Sequence, residues 1–194
     1  MTKLLNLFLD SNILVHHFCD ANNCLCAEQL LEKIGQPAQK DYSAYVSDFV
    51  YSESLGEMKC QYENKHHLSY KHTDATPIDV RERMVQAIED FKKSYNINSV
   101  KIPLDQLQIY DRVRHYCFQT KDAPIVLSVE YLNKQLGKEV CLVTGDVNSL
   151  YYKAGKIVKT LHPSFHFEFC PKECGSYSMC SHKNRFTSPK RKLS

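Results

Sequence analysis

The sequence predicts an α/β domain: a central parallel sheet of about four or five strands, covered by helices on both faces in three α/β/α layers. Short apolar runs alternate along the chain with longer stretches of helical periodicity, the order that builds a parallel sheet. The helical stretches carry start and stop signals, among them Gly35, Thr76-Pro77 and Gly137. At 194 residues the chain suits one domain with modest appendages.

Lys3 to Leu9 reads as a buried strand ending at Asp10, with Ser11 or Asn12 capping the turn that follows. A helix from about Ala27 to Ile34 stops at Gly35, a C′ residue. Residues 36–43 read as loop and Ala44 to Ser47 as the second strand. Asp48 then caps a helix through Val50, Leu55, Met58 and Tyr62. Residues 61–75, rich in His, Lys and Tyr, read as a loop or a frayed helix end. Thr76-Pro77 opens a helix that carries Ile78, Met84, Val85, Ile88 and Phe91. Val100 to Pro103 is a further strand, and Leu104 to Phe118 a helix with Leu107, Tyr110, Val113 and Cys117 on its apolar stripe. Asp122 caps the next helix, which runs through Ile125, Leu127, Val129 and Leu132 to Gly137. Val140 to Val143 is a short strand ending in Thr144-Gly145-Asp146. A short helix, Asn148 to Lys153, and a last strand, Ile157 to Leu161, complete a domain of residues 1–163. Residues 164–194 form a Cys/His-rich, basic tail.

Composition narrows the class. A hydrophobic fraction of 43% with 24% charged residues is ordinary for a soluble globular protein. No apolar run approaches the roughly 18–20 residues that span a bilayer, so no membrane partner is expected. The opening MTKLLNLFLD leads straight into an acid and reads as a core strand rather than a signal peptide. Nine cysteines, an odd number, argue against a secreted disulfide framework and for a reducing compartment. The expected location is therefore cytoplasmic, or nuclear in a nucleated cell. Lys183, Arg185, Lys190, Arg191 and Lys192 crowd into the last twelve residues without an acid; removing these five charges from the net +3 leaves residues 1–182 at −2. An acidic body suits a pocket of metal-binding carboxylates, and a basic tail suits a polyanion.

Asp10 and Asp146 each follow an apolar strand, so a parallel sheet delivers both beyond one edge, where such sheets gather functional groups. Asp122 at a helix start and Glu53 inside a helix can point there too. Each also has an ordinary reading taken singly: turn residue, helix cap, loop acid, surface charge. Glu57, one turn after Glu53, competes for its role.

Four segments in order carry a resemblance: Phe8-Leu9-Asp10-Ser11-Asn12-Ile13-Leu14, Val46-Ser47-Asp48-Phe49-Val50-Tyr51-Ser52-Glu53-Ser54-Leu55, Asp122-Ala123-Pro124-Ile125-Val126-Leu127, and Leu142-Val143-Thr144-Gly145-Asp146. Together they resemble the PIN-domain (VapC-like) ribonuclease family over about residues 3–163. The resemblance implies a PIN-like fold and endonucleolytic hydrolysis of single-stranded RNA, leaving 5′-phosphate and 3′-hydroxyl ends. It assigns Asp10, Asp122 and Asp146 to direct or water-mediated binding of Mg²⁺ or Mn²⁺, and Glu53 to binding metal or orienting water. Thr144 would steady a neighbouring carboxylate, and Asn12 and Asn148 would support the site. These are hard cations that take oxygen ligands, lower the pKa of bound water and stabilise charge on phosphate. Two positions depart from the family pattern. Pro124 replaces an aliphatic residue, which a first helical turn tolerates. Asn148 stands where many relatives carry a further acid, which deprives a second metal of one charge. Relatives include toxins held by an antitoxin, homodimers and RNA-processing proteins, and these are the partners the likeness suggests. The alternative is a non-catalytic PIN module that binds RNA or protein. A flavodoxin-like or receiver domain fits less well, because its phosphoacceptor context and Gly-rich loop are missing.

The tail offers Cys170, Cys174, Cys180 and His182 as ligands for structural Zn²⁺, with His162 and His166 as substitutes, or simply reduced cysteines. Lys65 and Lys71, among His66, His67, His72, Tyr62 and Tyr70, would grip single-stranded RNA by phosphate contact and stacking. Lys190, Arg191 and Lys192 are a second candidate RNA contact, or a solvated tail. Cys24-x-Cys26 and His16-His17 read as core or loop cysteines and helix-surface histidines.

Overall fold

A computed structural model describes residues 4–18, 25–36, 41–65 and 77–166. In chain order these form β1 (Leu5–Leu9), α1 (Ser11–Phe18), α2 (Leu25–Gly35), β2 (Tyr42–Ser47), α3 (Asp48–Lys65), α4 (Pro77–Tyr95), β3 (Asn98–Val100), α5 (Gln106–Tyr116), α6 (Asp122–Leu136) and β4 (Val140–Val143). A π-helical turn (Val147–Tyr151), α7 (Tyr152–Ala154), β5 (Thr160–Leu161) and a 3₁₀ turn (Pro163–His166) follow.

The five strands make one parallel sheet in the order β3-β2-β1-β4-β5. From β1 the chain steps outward to β2 and β3, then crosses back to β4 and β5. Right-handed crossovers in opposite directions place helices on opposite faces. Accordingly α1, α2, α3 and α4 pack among themselves, while α5 packs on α6 and α6 on β4. The result is the α/β/α arrangement. The strand order reverses between β1 and β4, which opens a crevice at their carboxyl ends. Leu7, Phe8, Leu9, Ile13, Leu14, Val46, Ile125, Leu132 and Leu142 are wholly buried around β1 and β4. Burying each such side chain contributes about 1.5–3 kcal/mol, so the sheet centre is the stiffest part of the fold. Among the described residues, no helix is long and apolar enough to cross a membrane.

Several boundaries differ from the sequence expectation, each for a physical reason. Ser11 and Asn12 do not cap a turn; they lie inside α1, which starts directly after Asp10. Gly35 closes α2 without a positive φ, and the glycine is required by close packing, since a Cβ there would meet Tyr95 at 2.9 Å. β2 begins at Tyr42, because residues 42–43 pair with β1 despite their mixed polarity. Ser47, not Asp48, serves the start of α3: its Oγ accepts the Val50 N–H at 3.4 Å. β3 lies at Asn98–Val100 rather than Val100–Pro103; it is a polar edge strand, and the Asn98 amide donates to the Ala44 carbonyl at 3.1 Å. β5 keeps only Thr160–Leu161 of the expected 157–161. Of the stripe expected on α5, Val113 faces the core, but Leu107, Tyr110 and Cys117 do not. Leu107 and Tyr110 are 72% and 59% exposed, while Ile109 and Val113 pack inward and Arg112 pairs bidentately with Glu130 on α6 at 2.8–3.0 Å. Gly137, at φ +59°, does end α6 as the sequence suggests.

Candidate functional site

The site begins with strand register. Leu9 is paired with Val143, so Asp10 and Thr144, the next residues on β1 and β4, emerge side by side at the switch-point crevice. The Asp10 N–H still donates to the Val143 carbonyl at 3.1 Å, and the Thr144 N–H to that of Leu161 at 3.1 Å. Backbone pairing therefore holds both residues just where the sheet ends.

Asp10 is 3% exposed, and its carboxyl oxygens are fully engaged. Oδ1 accepts from the Ser11 N–H at 2.7 Å and the Ser11 hydroxyl at 3.3 Å. Oδ2 accepts from the Thr144 hydroxyl at 2.6 Å and from the Asn12 side-chain amide. Thr144 Oγ1 in turn accepts from Asn12 Nδ2 at 3.0 Å and from the Asp146 N–H at 3.0 Å. Asn12 Oδ1 accepts the Gly145 N–H at 3.1 Å. A hydroxyl has one donor and two acceptor positions, and Thr144 uses all three. This network adds side-chain bonds to the backbone pairing that already ties the end of β1 to the end of β4.

The helices bring the other acids. Asp122, the first residue of α6, is 4% exposed and accepts from Ser149 Oγ at 3.3 Å. It is not the helix cap expected from sequence: Lys121 holds that position and makes no side-chain capping bond. Asp146 precedes the π turn and accepts the Ser149 N–H at 2.9 Å, so Ser149 links Asp146 to Asp122. Glu53, on α3, has a side chain 13% exposed; Oε1 lies 3.5 Å from Lys121 Nζ, and Oε2 is buried without a hydrogen-bond partner. Glu57 is exposed.

Electrostatics joins the pieces. Burial pushes Asp10 up to about 7; the Thr144 hydroxyl opposes the rise, Glu53 adds to it, the Ser11 N–H opposes it and Asp122 adds to it. Burial also raises Asp122, against the Ser149 hydroxyl, with Asp146 adding and Lys121 relieving. Lys121 holds its proton more tightly than usual: burial works against it, but Glu53, Glu57 and Asp122 outweigh burial. Four acids from four separated segments thus act on one another at one end of the sheet.

Hard oxygen donors dominate this pocket, the chemistry of a Mg²⁺ or Mn²⁺ site. The bare Glu53 Oε2 and the burial that raises Asp10, with Glu53 and Asp122 adding to it, are conditions a bound cation would relieve. Among the described residues no group of three or more His, Cys, Asp and Glu side chains is drawn together as a ready metal cage. The carboxyl groups rest instead on protein donors: Asp10 on Ser11, Asn12 and Thr144, Asp122 and Asp146 on Ser149, Glu53 on Lys121.

Asn12 and Thr144 stand where the sequence places them, beside Asp10. Asn148 lies in the π turn, but its side chain, like that of Lys65 at the end of α3, is outside the described residues. Lys71, Cys170, Cys174, Cys180, His182, Lys190, Arg191 and Lys192 also lie outside them, as does Cys24. Cys26 is buried in the core. His17 packs against Phe91 and Tyr95, with ring centroids 5.0 and 5.4 Å away. Lys121 and Ser149 were missed by sequence reasoning. The signals for them were faint: a Lys where a cap should stand, and a Ser three residues after a terminal Asp.

No family model and no curated protein sequence matches the chain.

Proposed function

We propose that this protein is a metal-dependent endoribonuclease of PIN type, acting on single-stranded RNA. The observation that supports this reading is that Asp10 and Asp146 follow the adjacent strands β1 and β4 at the switch point, with Asp122 joined to Asp146 through Ser149 and with Glu53 and Asp122 both acting on buried Asp10. The likeness of four ordered segments to PIN ribonucleases supports it independently. Asp10, Asp122 and Asp146 would hold Mg²⁺ or Mn²⁺, and Glu53 would bind or orient water with its free oxygen. Bound there, the ion supplies Lewis acidity toward water and phosphate. Ser11, Asn12 and Thr144 hold the Asp10 carboxylate in one orientation. Ser149 fixes Asp146 relative to Asp122. A second reading, a non-catalytic module that binds RNA or protein, draws on one observation: every oxygen of Asp10 is already satisfied within the protein.

One experiment separates the two. Wild-type protein is incubated with end-labelled single-stranded RNA and Mn²⁺, beside Asp10→Asn, Asp122→Asn and Asp146→Asn. Each variant should lose about 10²-fold or more in rate, as expected when charge stabilisation of the transition state is removed, with a thermal melt showing that it is folded. Full activity in the variants, or a wild type that binds RNA but never cuts it, overturns the nuclease reading.

A further inference from the structure

Lys121 occupies a position that helix stability argues against. It directly precedes α6 with backbone already helical at φ −76°, ψ −26°, and the Ala123 N–H reaches back past it to the Gln119 carbonyl at 3.3 Å, so it stands in the first helical turn. Its side chain makes no capping bond, and a cation in the first turn opposes the helix dipole. Its ion pair to Glu53, at 3.5 Å, leaves its side chain 55% exposed. A pair so exposed adds little to stability. Residues that break local rules without a folding gain concentrate at functional positions.

What Lys121 does have is location. It directly precedes Asp122, and its ammonium sits against Glu53 at the mouth of the carboxylate pocket, with solvent on its other side. Among the described residues it is the cation whose field Asp122 feels. An RNA strand must bring its phosphates up to a pocket lined with four acids, which repel them. A long, flexible ammonium at the rim can turn from a carboxylate to a phosphate without moving the backbone.

We propose that Lys121 is the residue that receives the substrate phosphate at this pocket, with Glu53 as its resting partner. Resting on the nuclease reading above, this assigns two linked properties to one side chain. Paired with Glu53, Lys121 competes with a divalent cation for that carboxylate. Released from Glu53, it neutralises a phosphate of the incoming strand.

The test uses the full chain with Lys121→Ser and Lys121→Arg. Lys121→Ser removes a cation from the first turn of α6 and gives up only an exposed ion pair, so it should melt close to the wild-type temperature. Without the competing charge, its affinity for Mn²⁺ by titration calorimetry should tighten about fivefold, the scale of one screened unit charge a few ångströms away. For a nuclease-resistant single-stranded oligonucleotide, its affinity should weaken about fivefold and the log-log salt slope should become shallower by about 0.7, one phosphate's share. Lys121→Arg should restore the slope. A clear drop in melting temperature for Lys121→Ser, an unchanged Mn²⁺ affinity or an unchanged salt slope each overturns the assignment and leaves the nuclease reading standing. A wild type that takes up no Mn²⁺ overturns the nuclease reading, and the Lys121 assignment with it.

Discussion

The two halves of the acidic pocket are held in different ways. On the strand side, Asp10 receives four donated hydrogen bonds, Thr144 uses its whole bonding capacity and Asn12 uses both amide N–H donors beside it. On the helix side, Glu53 keeps a bare buried oxygen and a long ion pair, and Asp122 has one 3.3 Å bond from a serine. The strand half is fixed by β1–β4 register before any side chain contributes. The helix half depends on where α3 and α6 start. The comparison separates a fully bonded carboxyl from sparsely bonded ones: burial weighs on Asp10 and Asp122 alike, but only Asp10 has all its oxygens held by donors.

The largest test of that contrast is pH. Burial pushes the Asp10 carboxyl up to about 7 in the fold, against 3.8 for the unfolded chain. The native state therefore binds the extra proton between these values. The contribution of Asp10 to stability is full below about 3.8 and is lost as pH rises through about 7. A shift of this size corresponds to up to about 4 kcal/mol. In urea melts of metal-free protein, the wild type should lose most of that amount between pH 4 and 8, while Asp10→Asn should show a much flatter profile whatever its absolute stability. Adding Mn²⁺ at pH 8 should return much of the loss to the wild type alone. Parallel profiles for wild type and variant would remove Asp10 as the strained member.

A smaller effect is expected from Thr144→Val, which keeps the side-chain shape and deletes the hydroxyl. Asp10 loses its 2.6 Å donor, and the Asp146 N–H loses its acceptor. Partners of this kind behind metal-binding carboxylates are worth about 10–100-fold in metal affinity or activity. The prediction is a fall of that size in both Mn²⁺ affinity and RNA cleavage, with Thr144→Ser close to wild type. Valine performing as well as threonine would mean that register alone orients Asp10.

The same division explains what could be read from the sequence. The strand half was legible: a buried apolar run followed by an acid is a local pattern, and two of them in a parallel sheet reach one edge. Thr144 and Asn12 came with those runs. The helix half was legible only as residue types. Asp122 has the sequence signature of a cap, yet the chain turns into the helix earlier, at the Gln119 carbonyl, and frees the Asp122 carboxyl for Ser149, a partner no local rule predicts. Likewise α5 has helical spacing, but its buried phase is set by Arg112 and Glu130 across the α5–α6 contact, which one segment cannot reveal. β3 was misplaced because an edge strand that pairs through backbone needs few apolar residues.

The smallest expected effect lies at the joint between the halves. Ser149 donates its N–H to Asp146 and its hydroxyl to Asp122, and it sits in a π-helical turn, a local irregularity often found at functional sites. Ser149→Ala removes the bond to Asp122 and leaves the one to Asp146. A 3.3 Å bond to a carboxylate that also feels Lys121 is weak, so the variant should lose about threefold in cleavage rate, on the scale of a net hydrogen bond of roughly 0.5–1 kcal/mol. Because the serine hydroxyl holds down the proton affinity of Asp122, the acid limb of the pH–rate profile should move to higher pH in the variant. Loss of rate without that movement would place the effect in the turn's backbone, and the two halves would then be coupled by chain geometry rather than by this side chain.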